Sequence, residues 1–165
     1  MSIEIVPMTR EDEVRGKAYV HFRAWKDAYR GLVDQDFLDA RTLELSEGFA
    51  LKAFRAGFAT LLAKDGDRVV GFADYGPCRD EDLPDTGEVY AIYLLEPYYR
   101  QGIGTMLMRE ALARMAAYPR VVVWVLEGNE RAIPFYESFG FAFDGVGKTL
   151  KLGTPVTDLR MVLVR

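Results

Sequence analysis

Three stretches of this 165-residue chain carry residue types that can do chemistry. The first is Tyr99-Arg100-Gln101-Gly102-Ile103-Gly104-Thr105, directly after an apolar run and at the start of a helical pattern. A helix N-terminus presents unpaired N–H groups and the positive end of the backbone dipole. Glycines let that backbone approach an anion closely, so a pyrophosphate can sit there. Arg100 adds a formal charge. The stretch lacks the Gly-Lys-Ser/Thr end of a Walker loop, and Leu107 stands where a third dinucleotide-binding glycine would fall. The competing structural reading is a glycine-relieved turn into an ordinary helix.

The second stretch runs from Asn129 to Phe141. Asn129 is a side-chain cap for a helix. Pro134 removes one donor from its first turns. Tyr136 puts a hydroxyl on a stripe with Ala132 and Phe139. The stripe reads as core, and the hydroxyl as a proton donor where it opens into a cleft. The third feature is Glu88 at a strand start, either a solvated strand end or a base at a cleft edge. Cys78 reads as a loop thiol and His21 as structural or solvated. One Cys and one His suit neither an internal disulfide nor a structural zinc site, so no metal is expected.

These residues need elements to hold them. Ile3 to Met8 alternates and is β-rich, which predicts a strand. Thr9, with Asp12 three residues on, predicts a capped helix running to about Tyr29. Residues 34–56 hold one or two more helices, ended by Gly57. Residues 58–63 and 68–75 read as a hairpin around Asp65-Gly66. Gly76 to Gly87 is an acidic loop. Glu88–Leu95 is a strand buried on both faces, Gly102 to about Ala117 a helix, and Arg120–Leu126 a central strand. A short helix from about Asn129 to Ser138 follows. Residues 141–146 and 158–164 pair as a terminal hairpin across a loop. The strands flanking the Gly102–Ala117 helix should be parallel neighbours with a right-handed crossover. The class is α+β, a single domain over 1–165 with a mixed, mostly antiparallel sheet and helices on both faces.

Composition narrows the function. Half the residues are hydrophobic and 28% are charged, which fits a globular core rather than disorder. No run reaches the roughly 18 apolar residues of a membrane span, and the N-terminus is not patterned as a signal peptide. A cytoplasmic setting without membrane contact is therefore expected. The net charge of −4 argues against a nucleic-acid partner. Residues 1–99 carry 12 Lys and Arg against 19 Asp and Glu, while residues 100–165 carry 9 against 6. The asymmetry reads either as attraction for a cationic partner at one end and an anionic one at the other, or as solvated surface charge unevenly distributed by chance, and charge alone does not decide between these.

Taken together, the motifs resemble those of the GNAT superfamily of acyl-CoA-dependent N-acyltransferases. That family has a Gln/Arg-x-x-Gly-x-Gly/Ala loop after one strand. After the next strand it has Asn-x-x-Ala-x-x-Phe-Tyr-x-x-x-Gly-Phe. Asn129, Ala132, Phe135, Tyr136, Gly140 and Phe141 fill the second pattern. In the first, Gly102 and Gly104 fit, while Tyr99 stands at the Gln/Arg position. The match is close over residues 68–145 and less specific in residues 24–32.

The resemblance implies a sheet whose parallel pair, 88–95 and 120–126, splays apart around acetyl-CoA. The pantetheine would pair with the backbone of Ile92 and Leu94, helped by Asn129. The pyrophosphate would meet Arg100, Gln101, Gly102, Ile103, Gly104 and Thr105. Glu88, through water, would deprotonate the amine, a backbone N–H near Leu94 would hold the oxyanion, and Tyr136 would protonate the departing thiolate. No covalent enzyme intermediate is implied. The acceptor is expected to be the primary amine of a small molecule, against Trp25, Tyr29, Phe37 and the acidic 80–88 loop. Two alternatives remain open: a protein or peptide N-acetyltransferase, and a non-catalytic acyl-CoA-binding module. A homodimer is compatible with the family.

Overall fold

The computed structural model describes residues 2–165. Strand β1 (Ile3–Pro7) leads through a 3-10 turn (Glu11–Glu13) into helix α1 (Val14–Ala28), then α2 (Gln35–Asp39) and α3 (Leu43–Arg55). Strands β2 (Ala59–Asp65), β3 (Arg68–Pro77) and β4 (Thr86–Leu94) follow as a meander. Helix α4 (Ile103–Arg114) crosses to β5 (Arg120–Leu126). Helix α5 (Ala132–Glu137) and the hairpin β6 (Ala142–Leu152) and β7 (Thr154–Val164) complete the chain. The seven strands form one sheet in the order β1-β2-β3-β4-β5-β7-β6, and only β4 and β5 are parallel.

The two sheet faces have different covers. Lys17 of α1 bonds Asp74 of β3 at 2.8 Å, and His21 packs edge-on against Phe72. Gly71, next to Phe72 along the strand, faces the other side, where a Cβ would lie 3.4 Å from Leu107 of α4. The main core spans both faces: Leu61, Leu62, Phe72, Leu107, Met108 and Met161 are buried. A second apolar cluster, Val33, Leu38 and Leu126, lies beneath Trp25, Tyr29 and Phe37. Among the described residues no helix is long and apolar enough to cross a membrane.

Three local expectations change. The capping carboxylate at the first helix is Glu13, which accepts from the N–H groups of Thr9 and Arg10 at 3.0 Å each, rather than Asp12. The terminal hairpin is longer than its sequence pattern, because β6 and β7 continue to a tight turn at Gly153, whose φ is 77°. Residues 147–151 gave no alternation because they are largely exposed on both faces. Strand β4 is fully buried only over Thr86–Val89; from Tyr90 to Leu94 it is partly open.

His21 is held inside this frame as a neutral ring. It stacks on Tyr93 at 5.4 Å and 27°. Burial, with smaller contributions from Arg41 and Lys17, pushes its pKa down to about 4. The unfolded chain therefore takes up the proton first as the pH falls. The His21 contribution to stability should drop between pH 6.5 and about 4, by on the order of 3 kcal/mol, and level off below that. Urea denaturation of the wild type and His21→Phe at pH 7 and 4.5 checks this. The variant should lose less on acidification, because the carboxylates contribute equally to both.

Candidate active site

The parallel pair is short. β4 stays registered with β3 from Gly87 to Leu94, whereas its pairing with β5 ends at Glu88↔Val122 after three residue pairs. β5 continues beside β7 as far as Leu126↔Asp158. Tyr90 is the extra residue of a bulge, because Tyr75 pairs with Val89 and Asp74 with Ala91. A bulge bends and twists its strand, and here it falls where β4 leaves β5. The sheet therefore forks beyond Glu88, and backbone groups that a continuous sheet would pair face an open gap. The gap is a cleft of about 500 Å³. Ile92 and Leu94 form one wall. Leu107, Phe135 and Tyr136 line it from the α4 side, and Tyr29, Tyr93 and Trp124 from the α1 side, so it passes through the sheet.

Glu88 sits at the crotch of this fork, 1% exposed. Its carboxylate accepts from the backbone N–H of Arg79 at 3.0 Å and from the Arg79 guanidinium at 2.6 Å. It does not line the cleft. Arg79 is the partner that holds it there, and its own pKa is raised by that bond.

The turn into α4 lies at one mouth. Arg100 (φ 61°) and Gly102 (φ 80°) both take left-handed backbone, which is strained for the arginine and free for the glycine. The first amide to bond back into the helix is that of Met106, to the carbonyl of Gly102 at 3.0 Å. The N–H groups of Ile103, Gly104 and Thr105 are therefore without helical partners. Gly104 packs under Phe135, where a Cβ would lie 3.3 Å from the ring. Arg100, Gly102, Ile103, Gly104 and Thr105 line the cleft. Gln101 does not: its amide donates to the carbonyl of Pro97 at 3.1 Å and is exposed. Arg131 was not singled out in the sequence. Its guanidinium lies over the Tyr99 ring at 3.8 Å, bringing a second cation to this mouth. These free amides and cations fit a pyrophosphate.

Tyr136 is 9% exposed and its hydroxyl has no hydrogen-bond partner among the described residues. Burial, with Tyr93 and Asp158 nearby, raises its pKa far above the usual tyrosine value, so the hydroxyl stays protonated. Asn129 lines the cleft, and its side-chain oxygen accepts from the N–H of Ala132 at 3.1 Å, so it also fixes the start of α5.

Of the three expected acceptor residues, Tyr29 lines the cleft, while Trp25 and Phe37 support it from the second apolar cluster. The Tyr93 hydroxyl joins them: it accepts from Trp25 Nε1 at 3.0 Å and lies 2.8 Å from the Tyr29 hydroxyl. The acidic loop is less free than its composition suggests. Arg160, 4% exposed, binds Asp82 at 2.8 Å, Asp144 at 2.8 Å and Asp80 at 3.3 Å. Trp124 Nε1 also donates to Asp80 at 3.0 Å. Periodicity reads Tyr93 and Trp124 as core, which is why the sequence did not mark them. Among the described residues no three His, Cys, Asp or Glu side chains are placed to hold a metal ion.

The same architecture recurs among known proteins. The chain is 30% identical over 131 residues to the uncharacterized N-acetyltransferase YuaI of Bacillus subtilis (strain 168), covering 78% of this chain and 74% of that protein. It is 32% identical over 142 residues to a mycothiol acetyltransferase of Corynebacterium efficiens, covering 85% of this chain and 44% of that protein. Its fold matches, over the whole of both chains, the crystal structure of the PaiA N-acetyltransferase from Thermoplasma acidophilum in complex with coenzyme A. The TM-score is 0.78 at 19% identity. The profile of the acetyltransferase (GNAT) family matches residues 14–141. With the forked sheet and the amide-rich turn, this places the chain in the GNAT family of acetyltransferases.

Proposed function

We propose that this protein transfers an acetyl group from acetyl-CoA to the primary amine of a small molecule, by direct attack of the amine on the thioester. The observation that carries the reading is a cleft open on both sheet faces, with a protonated Tyr136 hydroxyl in its wall that has no hydrogen-bond partner among the described residues. The donor's pyrophosphate rests on the amides from Ile103 to Thr105 and on Arg100, and its pantetheine runs along Ile92 and Leu94. Acetyl-CoA supplies the activated acyl group. A β4 amide near Leu94 receives the developing oxyanion. Tyr136 gives its proton to the departing thiolate. Glu88, locked by Arg79, fixes the crotch of the fork, so its carboxylate positions the strands rather than meeting the amine.

Direct attack also fits the one thiol. Cys78 Sγ accepts from the Asp80 N–H at 3.4 Å, and burial raises its pKa, so it is held as a thiol rather than a nucleophilic thiolate. A panel of alkyl amines, with free-thiol release from acetyl-CoA as the readout, tests the reading. At least one small amine should accelerate release, and intact-mass measurement should find no acetylated enzyme during turnover. A panel without turnover, or an acetyl adduct that forms and decays, would overturn it.

A further inference from the structure

Three carboxylates are buried among the described residues: Glu13, Glu88 and Asp158. Two are taken. Glu13 bonds Lys64 at 2.6 Å and Glu88 bonds Arg79 at 2.6 Å. Asp158, 8% exposed, has neither a hydrogen bond nor an ion pair among the described residues. Its oxygens are not sealed off either. Among the described residues the fully enclosed side-chain polar atoms without partners are Arg41 Nε and Ser46 Oγ, so the Asp158 carboxylate reaches accessible space.

Its direction follows from the register. Asp158 on β7 faces Leu126 on β5, and Arg160, two residues on, faces Trp124. All four side chains share one sheet face, that of α1. Leu126 packs with Tyr29, and Trp124 lines the cleft. The carboxylate is not itself a lining residue of the cleft; it lies on the α1 side of the sheet, close to Tyr29, Tyr93 and Tyr136, which do line it. Resting on the acetyltransferase reading above, the geometry points to Asp158 as the group that receives the acceptor's ammonium and takes its proton. It replaces the acidic loop, whose Asp80 and Asp82 are engaged by Arg160, as the source of selectivity for a cationic amine.

The step balances. The ammonium gives one proton to the Asp158 carboxylate. The neutral amine then forms the C–N bond while the C–S bond breaks. The thiolate takes the Tyr136 proton, and the phenolate is restored by the second proton of the new amide nitrogen. The Asp158 proton leaves to solvent with the product. Several charged or titratable groups surround the carboxylate: Tyr29 of α1, Tyr93 of β4, Tyr136 of α5, Lys148 of β6, Arg79 of the loop after β3, and Glu88. Burial, assisted by Glu88 and opposed by Lys148 and Arg79, raises its pKa above the ordinary aspartate value.

The test compares the wild type, Asp158→Asn and Asp158→Glu with two nucleophiles. One is the best alkyl amine of the panel; the other is hydroxylamine, which is already neutral at the assay pH. Asp158→Asn should lose about 10²–10⁴-fold in kcat/KM for the alkyl amine, stay within about threefold for hydroxylamine, and shift the acidic limb of the pH profile toward the amine's own pKa. Asp158→Glu should recover part of the rate and the limb. Calorimetry with coenzyme A should give wild-type affinity for both variants. Equal losses for the two nucleophiles, unchanged alkyl-amine turnover in Asp158→Asn, or loss of coenzyme A binding would overturn the assignment. A wild type that binds coenzyme A yet acetylates nothing would instead remove the enzymatic reading, and this one with it.

Discussion

Replacing Tyr136 with Phe should lower kcat by about 10²–10³-fold and leave the Kd for acetyl-CoA within about twofold. The change removes one oxygen and nothing else from the wall of the cleft. The ring keeps its contacts with Phe135 at 5.6 Å and Phe141 at 6.0 Å. Among the described residues the hydroxyl makes no hydrogen bond, so its loss strands no buried partner there, and stability should move by less than about 1 kcal/mol. What disappears is the donor for the thiolate. Steady-state rates with the best amine, set beside calorimetry with acetyl-CoA, separate proton donation from binding. Wild-type turnover in the variant would take Tyr136 out of the chemistry.

Gly104→Asp should weaken acetyl-CoA by at least about 10²-fold. Two effects act in the same direction. A Cβ at residue 104 meets the Phe135 ring at 3.3–3.4 Å, tighter than a comfortable contact. The carboxylate would also stand beside the amides that are to receive a pyrophosphate, where like charges about 4 Å apart repel by about 1–4 kcal/mol between bulk-water and protein-surface screening. Gly104→Ala separates the two, since it carries the methyl without the charge and should cost far less. Added salt should shrink the penalty of the aspartate and not that of the alanine. An unchanged calorimetric Kd for Gly104→Asp would refute the anion site at this turn.

What could be read in advance was local. Strand β5 lies at Arg120–Leu126 as its unbroken apolar run predicted, and Gly102 and Asn129 open their helices because capping chemistry is written within a few residues. The partners of the charged groups were not local. Glu88 looked like a free strand-end carboxylate until Arg79, across the β3–β4 loop, was found bound to it. Arg160 reaches Asp80 and Asp82 from about 80 residues away, and no spacing rule connects them. Asp158 escaped notice for the opposite reason. Its importance lies in having no partner, which only the packed neighbourhood reveals. Gln101 belonged to the motif by position, yet its side chain turns back to Pro97, because the left-handed backbone at Arg100 and Gly102 reorients the residue between them.

The three residue pairs between β4 and β5 have a mechanical corollary. Strands β1 to β4 form one hydrogen-bonded half and β5, β7 and β6 the other, and only those pairs stitch the ladder between them. The halves can therefore loosen as separate foldons about a narrow hinge, with amides beyond Glu88 exchanging with solvent ahead of the rest. A donor lying in the gap would bridge both halves, making its occupancy a brace for the whole molecule as well as the start of a turnover.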